Sequence, residues 1–176
     1  MTKRLALLAL LGLTLTATAA DAQRGASRPI ELGVDGGISI GLDDPNITVV
    51  SIPVQAFRIG FFMNDKVSLE PRFGFNSISG GGVSLRSYML ELGALFHPGG
   101  YITGSGLYIR PFVGIAGVGG DAGSGSDAFL GAGVGVKLPF SNRRFATRLE
   151  GNFNHVFDAG GSNALGILFG ISYFNR

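Results

Sequence analysis

A strict alternation of apolar and polar side chains runs from Ile30 to Leu42 and constrains the fold more than any other feature of the chain. Most even positions are isoleucine, leucine or valine, whereas the odd positions are glutamate, aspartate, serine and glycine. Successive side chains of a β-strand point to opposite faces, so the segment predicts a strand with one oily and one polar face. Its length of about 13 residues exceeds that of an ordinary globular strand and suits a tilted strand that crosses a bilayer.

The same alternation recurs along the chain and predicts eight strands. They are expected at residues 30–42, 48–61, 67–77, 85–96, 107–118, 129–138, 145–155 and 164–174. Short links make consecutive strands neighbours, and an even number of strands places both termini on one side of a membrane. We therefore predict an all-β fold: an eight-stranded antiparallel up-and-down transmembrane barrel, whose closure removes unpaired edges.

Two segments predict local departures from regular strands. Pro53 lacks a backbone donor, so a bulge is expected near it; Ala56 is placed on the apolar face, and the facing around Arg58 stays open. The Gly/Ser/Asp-rich stretch from Gly119 to Asp127 predicts a loop.

The N-terminus predicts export. Lys3 and Arg4 precede an apolar run at 5–15 that is too short to span a membrane, and Ala20-Asp21-Ala22 fits a cleavage site. We expect a signal peptide at 1–22, a periplasmic N-terminal tail at 23–29 and a barrel at 30–174. The absence of cysteine suits an exported protein without disulfides.

A soluble, lipocalin-like binder of small ligands would also have eight strands, but with its oily face inside. Only 15% of residues are charged, and Lys66 and Lys137 are the only lysines beyond the predicted signal peptide. The polar face is rich in small residues, which suit the narrow interior of an eight-stranded barrel. These features favour the membrane barrel, with the oily face outside.

The charges on the predicted inner face nearly cancel, which favours a buried, paired network that, with Tyr108 and Phe112, plugs the lumen. The network is expected to contain Glu31, Asp35, Glu70, Arg72, Glu91, Arg110, Lys137, Arg148 and Glu150. On the outer face, aromatic residues predict two membrane girdles. One is expected to contain Phe61, Phe62, Phe96, Phe140, Phe145, Tyr173 and Phe174, and the other Phe73, Phe75, Phe153 and Phe157.

Charges in the predicted links differ between the two sides. If both termini are periplasmic, the outer loops hold Asp43, Asp44, Asp121, Asp127 and Asp158, and the periplasmic segments hold Arg24, Arg28, Lys66, Arg143, Arg144 and Arg176. The aspartates are either simply solvated or share divalent cations with anionic lipid head groups.

No catalytic, cofactor-binding or metal-binding motif stands out. His155 at the outer rim is the only candidate centre for a lipid-modifying enzyme, with Ser162 and Asp158 in reach through the last loop, and an interfacial structural histidine is favoured. Basic residues are scattered without a stripe, so no nucleic-acid partner is expected.

The segments Arg110-Pro111-Phe112-Val113-Gly114, Gly131 to Gly135, Arg148-Leu149-Glu150 and the aromatic last strand occur in an order that resembles the small OmpA/OmpX-type outer-membrane β-barrel domains. The resemblance implies a monomeric outer-membrane barrel with an envelope-structural or surface-interaction role. It also implies two partners, the barrel assembly machinery and outer-membrane lipids including lipopolysaccharide. Asn175 and Arg176 follow the aromatic Phe174 that usually ends such chains. No peptidoglycan-binding domain is expected after the barrel.

Overall fold

The computed structural model describes residues 29–43, 48–80, 83–100, 106–121, 123–141, 143–158 and 160–175. The predicted signal peptide, most of the predicted tail, Asp44 and Arg176 lie outside these residues. All eight predicted strands are present. They are β1 (Ile30–Gly41), β2 (Thr48–Phe62), β3 (Val67–Gly80), β4 (Val83–Phe96), β5 (Leu107–Gly120), β6 (Gly123–Pro139), β7 (Phe145–Val156) and β8 (Ser162–Asn175).

The strands form one closed antiparallel barrel in chain order. The last strand returns to the first through an unbroken ladder from Ile30↔Asn175 to Gly41↔Ala164, which leaves no free edge there. We call the end that carries Ile30 and Asn175 the terminal end, with the links 63–66, 97–106 and 140–144. The distal end carries the links 42–47, 81–82, 121–122 and 157–161.

The predicted irregularity near Pro53 is confirmed. Ser51 pairs with Gly37 and Ala56 pairs with Asp35, so a five-residue step on β2 faces a two-residue step on β1. The extra residues change which face each later side chain of β2 occupies. Ala56 is consequently buried inside the barrel, and its predicted place on the apolar face is wrong.

The loop predicted from Gly119 to Asp127 is wrong in extent. The β5–β6 ladder continues through Gly119↔Ser124 to Gly120↔Gly123. Backbone groups make this ladder, so small polar side chains do not prevent it. Gly123 has φ +122°, a conformation that glycine adopts without strain, and the turn shrinks to residues 121–122.

The outer surface of the barrel is apolar. Large aliphatic and aromatic side chains at alternate positions are exposed on every strand, including Leu32, Phe73, Leu90, Val134 and Ile167. The charged side chains of the predicted network lie inside, which is the reverse of the soluble lipocalin-like alternative. Within the described ranges, no helix is long and apolar enough to cross a membrane.

The two predicted aromatic girdles are partly corrected. Phe61, Phe96, Phe140 and Phe145 are exposed on the outer face near the terminal end. Phe62 and Phe174 are instead buried inside the barrel. The physical reason is strand geometry: neighbouring residues of a strand point to opposite faces, so Phe62 cannot share the face of Phe61. The second girdle, Phe73, Phe75, Phe153 and Phe157, is exposed throughout.

Candidate functional site

The terminal half of the lumen holds a closed ring of alternating charges. The structure brings all nine residues of the predicted network together and adds Arg58. Each member of the ring forms an ion pair with the next, in the order Arg58, Asp35, Arg72, Glu91, Arg110, Glu150, Arg148, Glu70 and back to Arg58. Glu31 joins this ring through Arg58, and Lys137 pairs with Glu31.

Arg58 is the member that sequence reasoning missed. Its guanidinium donates to Glu31, to Asp35 at 3.1 Å and to Ser172 Oγ at 2.8 Å. The predicted inner face had five acids and four bases, so charge balance already called for one more base. Counting the alternation backward from Gly60, after the bulge, would have turned Arg58 inward.

Arg110 and Arg148 clamp Glu150 from two sides. Arg110 donates to Glu150 from Nη2 at 2.6 Å and stacks 4.4 Å above the centroid of the Phe112 ring. Arg148 also donates to Glu150, binds both oxygens of Glu70 at 2.7 and 2.8 Å, and donates from Nε to the Tyr108 hydroxyl at 2.6 Å. The Tyr108 hydroxyl donates in turn to Glu150 at 2.9 Å. These charge-assisted hydrogen bonds pair every one of these charges, and an unpaired charge in such a buried site would destabilise the folded protein.

Glycines on the inner face make room for these large side chains. A Cβ at Gly33 would overlap the guanidinium of Arg58. A Cβ at Gly135 would overlap the Tyr108 ring and approach the Leu149 carbonyl at 2.7 Å. The glycine positions are therefore part of the packing of the lumen.

Below the charges, a layer of aromatic rings lies at the terminal end of the lumen. The His97 ring lies 5.9 Å from the Tyr108 ring and 6.3 Å from that of Phe62, which lies 6.4 Å from Phe174. His97 belongs to the link after β4, and its N–H donates to the Lys66 carbonyl at 2.7 Å. Burial, together with the nearby charge of Lys137, lowers the pKa of His97 to about 4.

The distal half of the lumen is built differently. Phe112, Phe129 and Leu168 are buried at its base, and the Phe112 and Phe129 rings are 6.2 Å apart, edge to face. Above them solvent reaches the inner positions, which carry many small polar side chains and also the apolar Met89 and Val118. Among the small polar side chains are Ser39, Asn76, Ser87, Asn152 and Asn154. Within one barrel, the inner side chains therefore change from charged and buried in the terminal half to solvent-accessible in the distal half.

The candidate enzyme residues at the distal rim do not form a nucleophile–base pair. His155 Nδ1 lies 3.0 Å from Asn163 Oδ1, and its ring packs edge to face on Phe157 at 5.0 Å. Ser162 donates to Asp158 at 2.8 Å, and this hydrogen bond lowers the pKa of Asp158. His155 and Asn163 are cross-strand partners, whereas Ser162 is one position before Asn163 on β8 and so faces the other side of the sheet.

The distal aspartates accept hydrogen bonds from the ends of strands. Asp43 accepts from the Asn163 N–H, and Asp121 accepts from the Ser84 N–H at 2.7 Å. The residues that the structure describes contain no group of three or more side chains able to hold a metal ion. These carboxylates therefore have a structural role at the rim, and cation binding stays a prediction.

Solved structures share the architecture just described. Neisserial surface protein A superposes with a TM-score of 0.57 at 12% identity, over 82% of this chain and 96% of that one. The chain has the fold of a small outer-membrane β-barrel. The N-terminal barrel domain of Pseudomonas aeruginosa OprF (TM-score 0.46, 17% identity, 82% and 97% covered) and Pseudomonas aeruginosa OprG (TM-score 0.45, 11% identity, 84% and 95% covered) are also similar to this chain. No family model and no curated protein matches the sequence.

Proposed function

We propose that the chain is a non-catalytic integral protein of the outer membrane, monomeric, with a lumen plugged by its own side chains and an envelope-structural or surface-interaction role. The observation that carries this proposal is the closed ring of alternating charges across the lumen, with the aromatic layer of Phe62, His97, Tyr108 and Phe174 beneath it. An eight-stranded barrel is only wide enough for its side chains to fill it. When side chains fill the lumen, the surfaces left for a role in the envelope are the outer face of the barrel and its two rims.

Conductance tests the plugged lumen. The protein reconstituted in planar bilayers is expected to give no porin-sized single-channel steps, while a sixteen-stranded porin inserted under the same conditions gives them. Large, stable steps from the purified barrel would refute the plug.

The orientation belongs to the same proposal: the terminal end faces the periplasm, because the chain enters the outer membrane from that side and both termini lie at one end. The chain has no cysteine, so single-cysteine variants report unambiguously. Ser124→Cys, at the distal end, should react with a membrane-impermeant maleimide on intact cells. Ser141→Cys, in the 140–144 link, should react only after the outer membrane is permeabilised. The reverse pattern would overturn the orientation.

The non-catalytic part of the proposal is supported by the separation of His155 from Ser162 across the sheet. Replacing His155 with alanine should leave the lipid A composition of the envelope unchanged in mass spectrometry, and the matched Asn163→Ala variant should behave the same. An acyl pattern that changes with His155→Ala and not with Asn163→Ala would establish the enzyme instead.

Partners at the distal rim are proposed to be lipopolysaccharide and divalent cations, the latter bridging Asp43 and Asp121 to anionic head groups. Each exposed bridge is expected to contribute only about 0–1 kcal/mol. Chelation should therefore lower the melting temperature slightly in lipopolysaccharide bilayers and not in zwitterionic detergent. An equal response in both media would count against the cations.

A further inference from the structure

The link between β6 and β7 holds an arginine where the backbone favours glycine or asparagine. The Phe140 N–H donates to the Phe145 carbonyl at 2.8 Å, and the Arg143 N–H donates to the Phe140 carbonyl at 2.8 Å. This is a tight turn followed by a residue in the left-handed region, and Arg143 has φ +53°. Among the described residues, it is the one non-glycine position with positive φ.

A side chain other than glycine or asparagine is disfavoured in that conformation. The conformation of the turn therefore does not explain an arginine at this position, whereas a function of the arginine side chain would explain it. That side chain is exposed, as is the side chain of the adjacent Arg144.

The turn lies next to the outer aromatic ring of the terminal end. Phe140 and Phe145 flank the turn and are exposed on the outer face, and the Phe145 ring packs 5.3 Å from that of Tyr173. Aromatic rings of membrane barrels lie where hydrocarbon meets the head groups. A guanidinium two or three residues beyond such a ring is at the height of lipid phosphates.

The charge of the two ends agrees with this placement. The described links of the terminal end carry Lys66, Arg143 and Arg144 against the single acid Asp65, whereas the distal links carry Asp43, Asp121 and Asp158. Basic residues near an anionic membrane surface are attracted to it. A planar guanidinium also matches phosphate in two-point hydrogen bonding.

We propose that Arg143, in the link between β6 and β7, forms a phosphate-binding lipid site and holds the head group of an anionic phospholipid in the leaflet at the terminal end. The choice of phospholipid rather than lipopolysaccharide rests on the proposed periplasmic orientation of that end. The strained turn keeps Arg143 at the rim, and the neighbouring Arg144 adds positive charge to the same site.

The test compares Arg143→Asn with wild type and with Arg86→Asn, an exposed arginine toward the distal end of β4. Asparagine removes the charge and suits the left-handed backbone, so the variant should fold. Its melting temperature in phosphatidylcholine should equal or exceed that of wild type. The readout is the relative affinity for spin-labelled phosphatidylglycerol over spin-labelled phosphatidylcholine, measured in vesicles of phosphatidylcholine.

Wild type and Arg86→Asn should prefer phosphatidylglycerol, and Arg143→Asn should lose about fivefold of that preference, as expected for one charge at an anionic surface. An unchanged preference in Arg143→Asn would overturn the proposal.

A second arm replaces the labelled phosphatidylglycerol with labelled lipid A. A loss of preference in Arg143→Asn that is confined to lipid A would also overturn the proposal. A lower melting temperature of Arg143→Asn in phosphatidylcholine would show that the arginine is there for the turn, and would overturn it too. Because the vesicle readout does not depend on which way the barrel faces in cells, a failed orientation experiment is distinguishable from a failed lipid site.

Discussion

The two halves of the lumen solve the problem of a narrow interior in different ways. In the terminal half, large charged side chains fill the space, and each is neutralised by a neighbour, as Arg110 is by Glu91 and Glu150. In the distal half, small polar side chains such as Asn76 and Asn154 leave space that solvent reaches. The difference teaches that one strand alternation can encode either a packed or an accessible interior, depending on the size and the charge of its inner residues.

The largest expected effect comes from removing one member of the ring. Arg110→Ala leaves Glu91 and Glu150 without a shared partner in a dry site, which should lower the free energy of unfolding by about 3–5 kcal/mol. Asn154→Ala, in the distal half, should change it by less than about 1 kcal/mol. Urea unfolding in detergent or lipid measures both, and equal effects would erase the distinction between the halves.

The aromatic layer beneath the ring should make stability depend on pH. The pKa of His97 is lowered from 6.5 to about 4, so the unfolded chain binds a proton that the folded chain does not between these values. The contribution of His97 to the free energy of unfolding is therefore fully present above pH 6.5. It falls by about 2–3 kcal/mol as the pH drops to about 4.

His97→Gln isolates this contribution, because glutamine is polar but does not titrate. Unfolding free energies of both proteins are compared from pH 7 to pH 4. The difference between them should change across that range in the direction of a relatively less stable wild type at low pH. A constant difference would show that His97 does not stay neutral in the folded barrel.

A pair of glycines on β6 provides a smaller and sharper comparison. Gly135→Ala forces a Cβ into Tyr108 and should lower stability by about 1–3 kcal/mol. A Cβ at Gly125, at the distal end of the same strand, meets nothing within 4 Å. Gly125→Ala should be neutral or stabilise by up to about 1 kcal/mol through the unfolded state. A destabilising Gly125→Ala would mean that the distal half is packed as well.

The alternation and the short links were sufficient to predict the strands and their order, because a two-residue period is that of a β-strand. Which face lies outside was predicted from the low charge of the chain and the small residues of the polar face, since a lipocalin-like barrel has the same alternation. The facing of Arg58 stayed open because a bulge of unknown size precedes it, and only the alternation counted backward from Gly60 indicates the inner face. Phe62 and Phe174 were misplaced because aromatic content near a strand end indicates a girdle only when the face is known. The extension of β6 back to Gly123 was missed because backbone hydrogen bonds pair these strands whatever the side chains are, so the small polar residues gave no strand signal.

The pairing of the lumen charges was predictable only as a set. Composition and face indicated that acids and bases would neutralise one another, but the closed ring depends on which strands are neighbours and on register, such as Arg72 opposite Glu91. The aromatic layer around His97 was not predictable, because His97 lies in a link and the other rings of the layer come from β2, β5 and β8.

The central claim is that the charged half of the lumen is dry and the distal half is wet. Side-chain hydrogen exchange measured by NMR in lipid nanodiscs tests it directly, through the Nε–H of Arg58, Arg110 and Arg148 and the side-chain amides of Asn76 and Asn154. The account predicts slow exchange and no cross-relaxation to water for the arginines, against fast exchange for the asparagines. Arginine protons that exchange as fast as the asparagine amides would contradict it.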